Sequence, residues 1–342
     1  MRQWGSSLDH NGMSFFTAIV PEGVSVYHGT HQREAIDGME WLAFEIEHAK
    51  GFSAVRRRRG TDLLDGRLAD TTGDQVTFPV ETEAGYLHVY RMTRHQSFLY
   101  LDGMAAAKST LGTLDTQDIL LRNTTGIYPV WPELERAKEL CELVSTWGLD
   151  GVIRLEAGFE IIKCNFSDGM KLESNSRVAS WSNPSSLTVT SNSNLATFEY
   201  LRAVTQRYWG IGGSRVIVDF SSMISAFFYP LNLTNPDHRY PEHPRLLEPS
   251  WQELAQVKAD IAEVVSRSKA LHSHSVQTST NWQDVTDLVV SRYSDRLKFI
   301  REKVTMIEDI EIEVAGLLDP FIDYSEAEPD LLTNSYMPLF IK

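Results

Sequence analysis

The clearest pattern along the chain is the stretch "WPELERAKELCELVSTWGLDG", where Leu134, Ala137, Leu140, Cys141, Val144 and Trp147 recur every three or four residues. That spacing lays an apolar stripe along one face and predicts a helix. Pro132 suits its first turn, and Gly148 suits its C-terminal cap. Around it the pattern shortens. Residues 24–27 are apolar and β-branched and read as a strand. Residues 45–52 have helical spacing, with Ile46, Ala49 and Phe52 on the inward side. "GYLHVYRMTRHQSFLYLDG" gives two strands, 86–92 and 97–101, closed by the Asp102-Gly103 turn. Residues 151–154 and 159–165 read as a strand pair after the long helix.

The second half has a different texture. Residues 182–194, "SNPSSLTVTSNSN", read as a linker. Residues 195–209 are helix-like, 215–220 suit a strand, and 229–249 are irregular and rich in Pro and His. Two long helical patterns follow. The first opens with Ser250 as N-cap and Glu253 three residues on, a capping box; the second opens on Asn281. The expectation is an α+β core over 1–181, the linker at 182–194, and a mostly helical region over 195–342 packed on the core.

Composition narrows the class. The chain has 342 residues, 42% hydrophobic and 23% charged, enough to bury a sizeable core. Its formal net charge is −14, so a nucleic-acid partner needs a local basic patch. The candidate patch is Arg56, Arg57, Arg58 and Arg59, which reads either as a solvated loop or as a phosphate contact. Cys141 and Cys164 are too few for a disulfide framework or a zinc site. Residues 1–13 are polar and lack the apolar core of a signal peptide, and no window approaches the roughly 18 apolar residues of a membrane helix. A cytoplasmic chain is expected, in which the sequons at Asn123, Asn165 and Asn232 are chance occurrences.

Three short segments carry candidate chemistry. "VYHGT" ends a strand on His28, Gly29 and Thr30; "WLAFEIEHAKGF" runs from Trp41 to Phe52; "GLDGVIRLEAGFEIIKCNFSDGMKL" places Glu160 on a late strand after an Asp-Gly turn. In that order they resemble the ADP-ribosyltransferase-like fold, in its His–Tyr–Glu branch, which includes poly(ADP-ribose) polymerases and RNA 2′-phosphotransferases. The resemblance covers about the first half of the chain and implies a split-sheet core. It implies NAD as co-substrate and cleavage of the nicotinamide–ribose bond. Glu160 would stabilise positive charge building on the ribose, and His28 would hydrogen-bond a ribose hydroxyl. Gly29, with Thr30 beside it, would open bare backbone to the nicotinamide amide. Trp41 and Phe52 would sandwich the ring. Two positions depart from that pattern: tryptophan stands where the family has tyrosine, and Ala49 stands where it often has a hydroxyl residue.

A second resemblance is broader. "EWLAFEIEHA", "LYLDGMAAAKSTLGTLDTQDILLR" and "DVTDLVVSRYSDRLKFI" look like a widespread set of fungal proteins, mostly without a described activity. A link to fungal arginine-containing cyclodipeptide synthases would make arginyl-tRNA a partner through Arg56–Arg59. A third reading is a ligand-binding member of the fold without catalysis. Within residues 101–118, Lys108 and Asp115 are candidates for a pocket, Lys108 for an anion and the pair Asp115 and Asp118 for a guanidinium. The alternative for this block is a turn and a capped helix. No metal site and no membrane contact is expected.

Overall fold

The computed structural model describes residues 13–53, 56–58, 80–82, 85–109, 113–124, 133–178, 193–241, 243–272 and 282–323. In chain order these form β1 (Ser14–Val20), β2 (Ser25–Thr30), β3 (Glu40–Ala43), α1 (Ile46–Ser53), β4 (Arg56–Arg58), β5 (Val80–Thr82), β6 (Tyr86–Met92) and β7 (Gln96–Leu101). A π-helical turn (Thr116–Leu121), α2 (Glu133–Thr146), β8 (Gly151–Leu155), β9 (Phe159–Lys163) and β10 (Met170–Arg177) follow. The remainder is α3 (Ser193–Thr205), β11 (Ile217–Ser225), α4 (Trp251–His272), α5 (Trp282–Lys303) and α6 (Ile307–Leu318). The fold is α+β. Nine strands form one mixed sheet in the order β10-β6-β2-β3-β9-β8-β7-β1-β11, while β4 and β5 pair with each other. Nine of the eleven described strands thus share one sheet, where the resemblance implied a split one.

β7 and β8 are the parallel neighbours in the sheet, with Leu99 opposite Val152. A parallel pair needs a crossover, and α2 lies within it. Ala137, Leu140, Cys141 and Val144 are buried as the stripe predicted, whereas Leu134 is 47% exposed. Gly148 ends the helix region at φ +65°, the left-handed conformation that suits a cap. The face under α2 joins Phe15, Leu99, Val152 and Ile162 to Leu254, Val257 and Ile261 of α4. The other face gathers Phe16, Tyr90, Phe98, Tyr100, Ile153 and Ile161. The capping box forms at the start of α4: the Ser250 N–H donates to Glu253 Oε2 at 2.7 Å, and the Glu253 N–H donates to Ser250 Oγ at 3.3 Å.

Three features go beyond the sequence reading. First, the strand expected at 215–220 is β11, an edge strand of the same sheet paired antiparallel to β1, so the second half of the chain contributes to the core sheet as well as packing helices on it. Of the expected linker, 182–192 lies outside the described residues, and Ser193 and Asn194 open α3. Secondly, the two cysteines form one disulfide, Cys141 of α2 to Cys164 just past β9, with Cα atoms 5.4 Å apart. Thirdly, the block after Lys108 contains a π-helical turn, and Gln117 in it donates to the Ala105 carbonyl at 2.6 Å.

Two outcomes test this packing. A Cβ on Gly29 would lie 2.0 Å from the Ala49 carbonyl oxygen and 2.7 Å from the Ser53 nitrogen, both backbone atoms of α1. Gly29→Ala is expected to push α1 off β2 and lower stability by about 1–3 kcal/mol, read as a lower urea midpoint. Reducing the disulfide, which joins positions 23 residues apart, is expected to lower stability by about 3 kcal/mol, read by unfolding with and without reductant.

Candidate functional site

The sheet register decides which candidate side chains can meet. Tyr27 lies opposite Ala43, Ala43 opposite Glu160, and Glu160 opposite Arg154. Paired residues share a face and successive residues alternate. Glu160 therefore points to the face covered by α1 and α2. His28, one residue past Tyr27, points to the other. There its ring meets Phe166 edge-on at 5.3 Å and lies 6.2 Å from His88, while Nδ1 bonds the Trp41 carbonyl at 2.6 Å. The expected partnership of His28 and Glu160 is thus not formed, because the sheet separates them.

The other expected residues also resolve individually. Gly29 serves the close approach of α1 rather than an open edge for a ligand. Thr30 Oγ1 accepts from the Gln32 N–H at 3.2 Å. Trp41 is half-buried against the core under α2. Phe52 is 53% exposed, with its ring edge-on to His48 at 5.2 Å, so the two aromatics have different surroundings and form no ring clamp. Asp115 accepts from Arg245 at 2.7 and 3.0 Å and from the Leu246 N–H at 2.9 Å. Asp118 accepts from Arg122 and Arg136. The acidic pair foreseen for a guanidinium ligand already holds guanidiniums of the chain itself. Arg56–Arg58 form β4, paired with β5; their side chains and Arg59 lie outside the described residues.

What the fold does bring together is a charged cluster on the Glu160 face. Arg154, 1% exposed, donates to Glu160 at 2.7 Å, to the Gln117 amide oxygen at 2.7 Å and to Glu133 at 2.8 Å. Lys108 bridges Glu156 at 2.8 Å and Glu133 at 3.0 Å nearer the surface. Lys108 sits at φ +54°, a conformation that L side chains adopt at some cost. Burial pushes the Glu160 carboxyl up; Arg154 opposes that shift, Glu156 adds to it and Lys108 opposes it. Glu133 is held down at about 2: burial works against this, and the charges of Arg154, Lys108 and Arg136 outweigh it.

His48, which the sequence reading passed over, completes this side. It is buried in α1, its Nε2 has no hydrogen-bond partner, and its ring stacks on Tyr200 at 6.3 Å. Burial lowers its pKa, while Glu45 and Glu156 pull the other way. Gly158, on the hairpin between β8 and β9, packs so close that an added Cβ would lie 3.2 Å from both Glu45 Oε2 and His48 Cγ. Glu45 in turn pairs with Arg215 at 3.0 Å, keeping its Oε2 buried and unpartnered. The result is a buried imidazole, two aromatic rings and the carboxylates Glu156 and Glu160 gathered around one hairpin. Among the described residues no group of His, Cys, Asp and Glu is arranged to hold a metal ion, and no helix is long and apolar enough to cross a membrane.

The buried histidines set a pH dependence. Burial holds His28 down at about 4 against an ordinary 6.5; the Trp41 carbonyl opposes this and His88 adds to it. His48 and His88 are lowered as well, burial being the first cause for each. Below the ordinary value the unfolded chain binds protons that the folded chain refuses. Stability should fall as pH drops through that window, with His28 contributing about 3 kcal/mol at most. Urea midpoints between about pH 7 and about pH 4.5 should show the slope, and His28→Gln should flatten it.

Comparison with known proteins finds one family model and two yeast relatives. The family model described as the YPL277C N-terminal domain matches residues 1–78 and 68–196. The chain is similar to the uncharacterized protein YOR389W of Saccharomyces cerevisiae, 33% identical over 197 residues, which is 51% of this chain and 31% of that protein. It is also 33% identical over 198 residues to the uncharacterized protein YPL277C of the same yeast, 51% of this chain and 40% of that protein. The matched region thus spans 31–40% of the length of these relatives. No solved structure matches.

Proposed function

The chain belongs to the YPL277C N-terminal domain family; from the charged cluster on the Glu160 face we propose that it is a transferase or glycohydrolase acting at a cationic ribosyl centre, with NAD as the donor. The reacting groups lie on the Glu160 face. In such a reaction the nicotinamide–ribose bond breaks, nicotinamide leaves with the bonding electrons, and the ribose carries developing positive charge until water or another nucleophile adds. Glu160 and Glu156 would stabilise that charge. The His48 imidazole, whose Nε2 has no partner, would hydrogen-bond a ribose hydroxyl in place of His28. Phe52 and Tyr200, whose rings pack on His48, would supply flat apolar contacts.

The observation that carries this reading is the convergence of Glu160, Glu156, Lys108 and His48 on one hairpin, each within electrostatic reach of another. A second reading, a binding domain without catalysis, is favoured by Glu160 Oε1, which is already engaged by Arg154. The arginyl-tRNA alternative draws less support, since Asp115 and Asp118 are both occupied by arginines of the chain. Incubation with NAD separates these readings. Catalysis predicts nicotinamide release, reduced roughly 100-fold or more in Glu160→Gln and also reduced in the rim variant Glu156→Gln. NAD binding without release would leave the binding reading. Neither binding nor release would end both NAD readings.

A further inference from the structure

We propose that Asn165 and Asn232 carry N-linked oligosaccharides and that this chain folds in an oxidising compartment, which displaces the cytoplasmic expectation. The disulfide is the first observation. The chain's two cysteines are both bonded, and none is free. Forming that bond removes two electrons and two protons from the thiols, taken up by a disulfide-bearing oxidant through exchange. Such bonds persist where thiols are not continually reduced, and are rare in the cytosol.

The sequons supply the second, independent observation. An Asn-x-Ser/Thr acceptor needs an asparagine on an exposed turn. Asn165 is exposed in the turn between β9 and β10, and its Oδ1 accepts from the Ser167 N–H at 3.0 Å. Asn232 is exposed in the segment after β11, and its Oδ1 accepts from the Thr234 N–H at 3.1 Å. Both are Asx-turns closed onto the hydroxyl residue of their own sequon. The side-chain oxygen is thereby engaged in each turn, while the amide nitrogen donates to nothing among the described residues.

Asn123 makes the contrast. It sits at φ +56° just after the π-helical turn, its N–H donates to the Ile119 carbonyl, and its Oδ1 is buried without a partner. It serves as the left-handed residue that ends a helical turn. The hydroxyl residue of its sequon, Thr125, lies outside the described residues. A glycan there would press on the π-helical turn and the Asp118–Arg136 pair, so Asn123 is assigned no modification.

The transfer is balanced with a lipid-pyrophosphate-linked oligosaccharide as donor. The asparagine amide nitrogen forms a bond to the anomeric carbon and loses a proton. The bond from that carbon to the pyrophosphate oxygen breaks, and the lipid pyrophosphate leaves with the electron pair.

The test uses the full chain purified from its own host. Peptide-N-glycosidase treatment should sharpen and lower its gel band, leaving aspartate at positions 165 and 232 and asparagine at 123 by peptide mass spectrometry. Alkylation before reduction should leave Cys141 and Cys164 unlabelled. Ser167→Ala and Thr234→Ala keep both asparagines yet should each remove one glycan, as should Asn165→Gln and Asn232→Gln. Unconverted asparagine at both 165 and 232, a glycan at Asn123, or two alkylated cysteines would each overturn the proposal.

Discussion

A buried guanidinium, that of Arg154, is the constraint around which the central sheet and its covering helices are arranged. It sits in the middle of a strand whose other residues are all buried. A charge taken out of water there must be paired and hydrogen-bonded. Its partners come from three places: Glu160 on the neighbouring strand, Gln117 in the π-helical turn and Glu133 in α2. Removing any one leaves part of a charge uncompensated, so the pieces are held in one relative arrangement whatever the net worth of the ion pairs. Arg136 repeats the device from α2, reaching Asp118 and Glu133. Lys108 extends the same network to the surface, where Glu156 marks its rim.

The C-terminal elements act on the same region from the other side. Arg215, ahead of β11, donates to the Phe44 carbonyl and to Glu45 at the entry to α1. Arg292 of α5 pairs with Glu47 within α1. Burial alone would disfavour the Arg292 charge, and Glu47 more than restores it. These arginines pin the short helix that carries His48 and Phe52. The helical second half therefore helps to hold one wall of the cluster around the β8–β9 hairpin.

Much of the fold was legible because period-two and helical patterns report burial directly. The strand at residues 86–92 was read with its observed bounds, and the α2 stripe, the Gly148 cap and the Ser250–Glu253 box follow from local chemistry. β11 was read as a strand, but its pairing with β1 depends on contacts far apart in sequence that no local pattern encodes. The site was less legible for a sharper reason. "VYHGT" tells which residues form a strand, but not its register against its neighbours, and a shift of one residue moves a side chain to the other face. Tyr27 stands level with Glu160 through Ala43, so His28 does not. The overlooked signal was Arg154 itself, a charge within an apolar strand that demanded a carboxylate nearby. His48 carried less warning, since its position on α1 reads as ordinary helix.

The two ends of the sheet finish differently. At one end β10 has no fully buried position and carries Lys171, Glu173 and Arg177, exposed charges that discourage a stray strand from adding on. At the other, β11 covers β1, which is otherwise buried and apolar along most of its length. A fragment ending before β11 would present the open hydrogen-bonding edge of β1 to any passing strand. The boundary that composition suggests between the halves is therefore a poor place to cut: the first half alone would be prone to self-association through that edge.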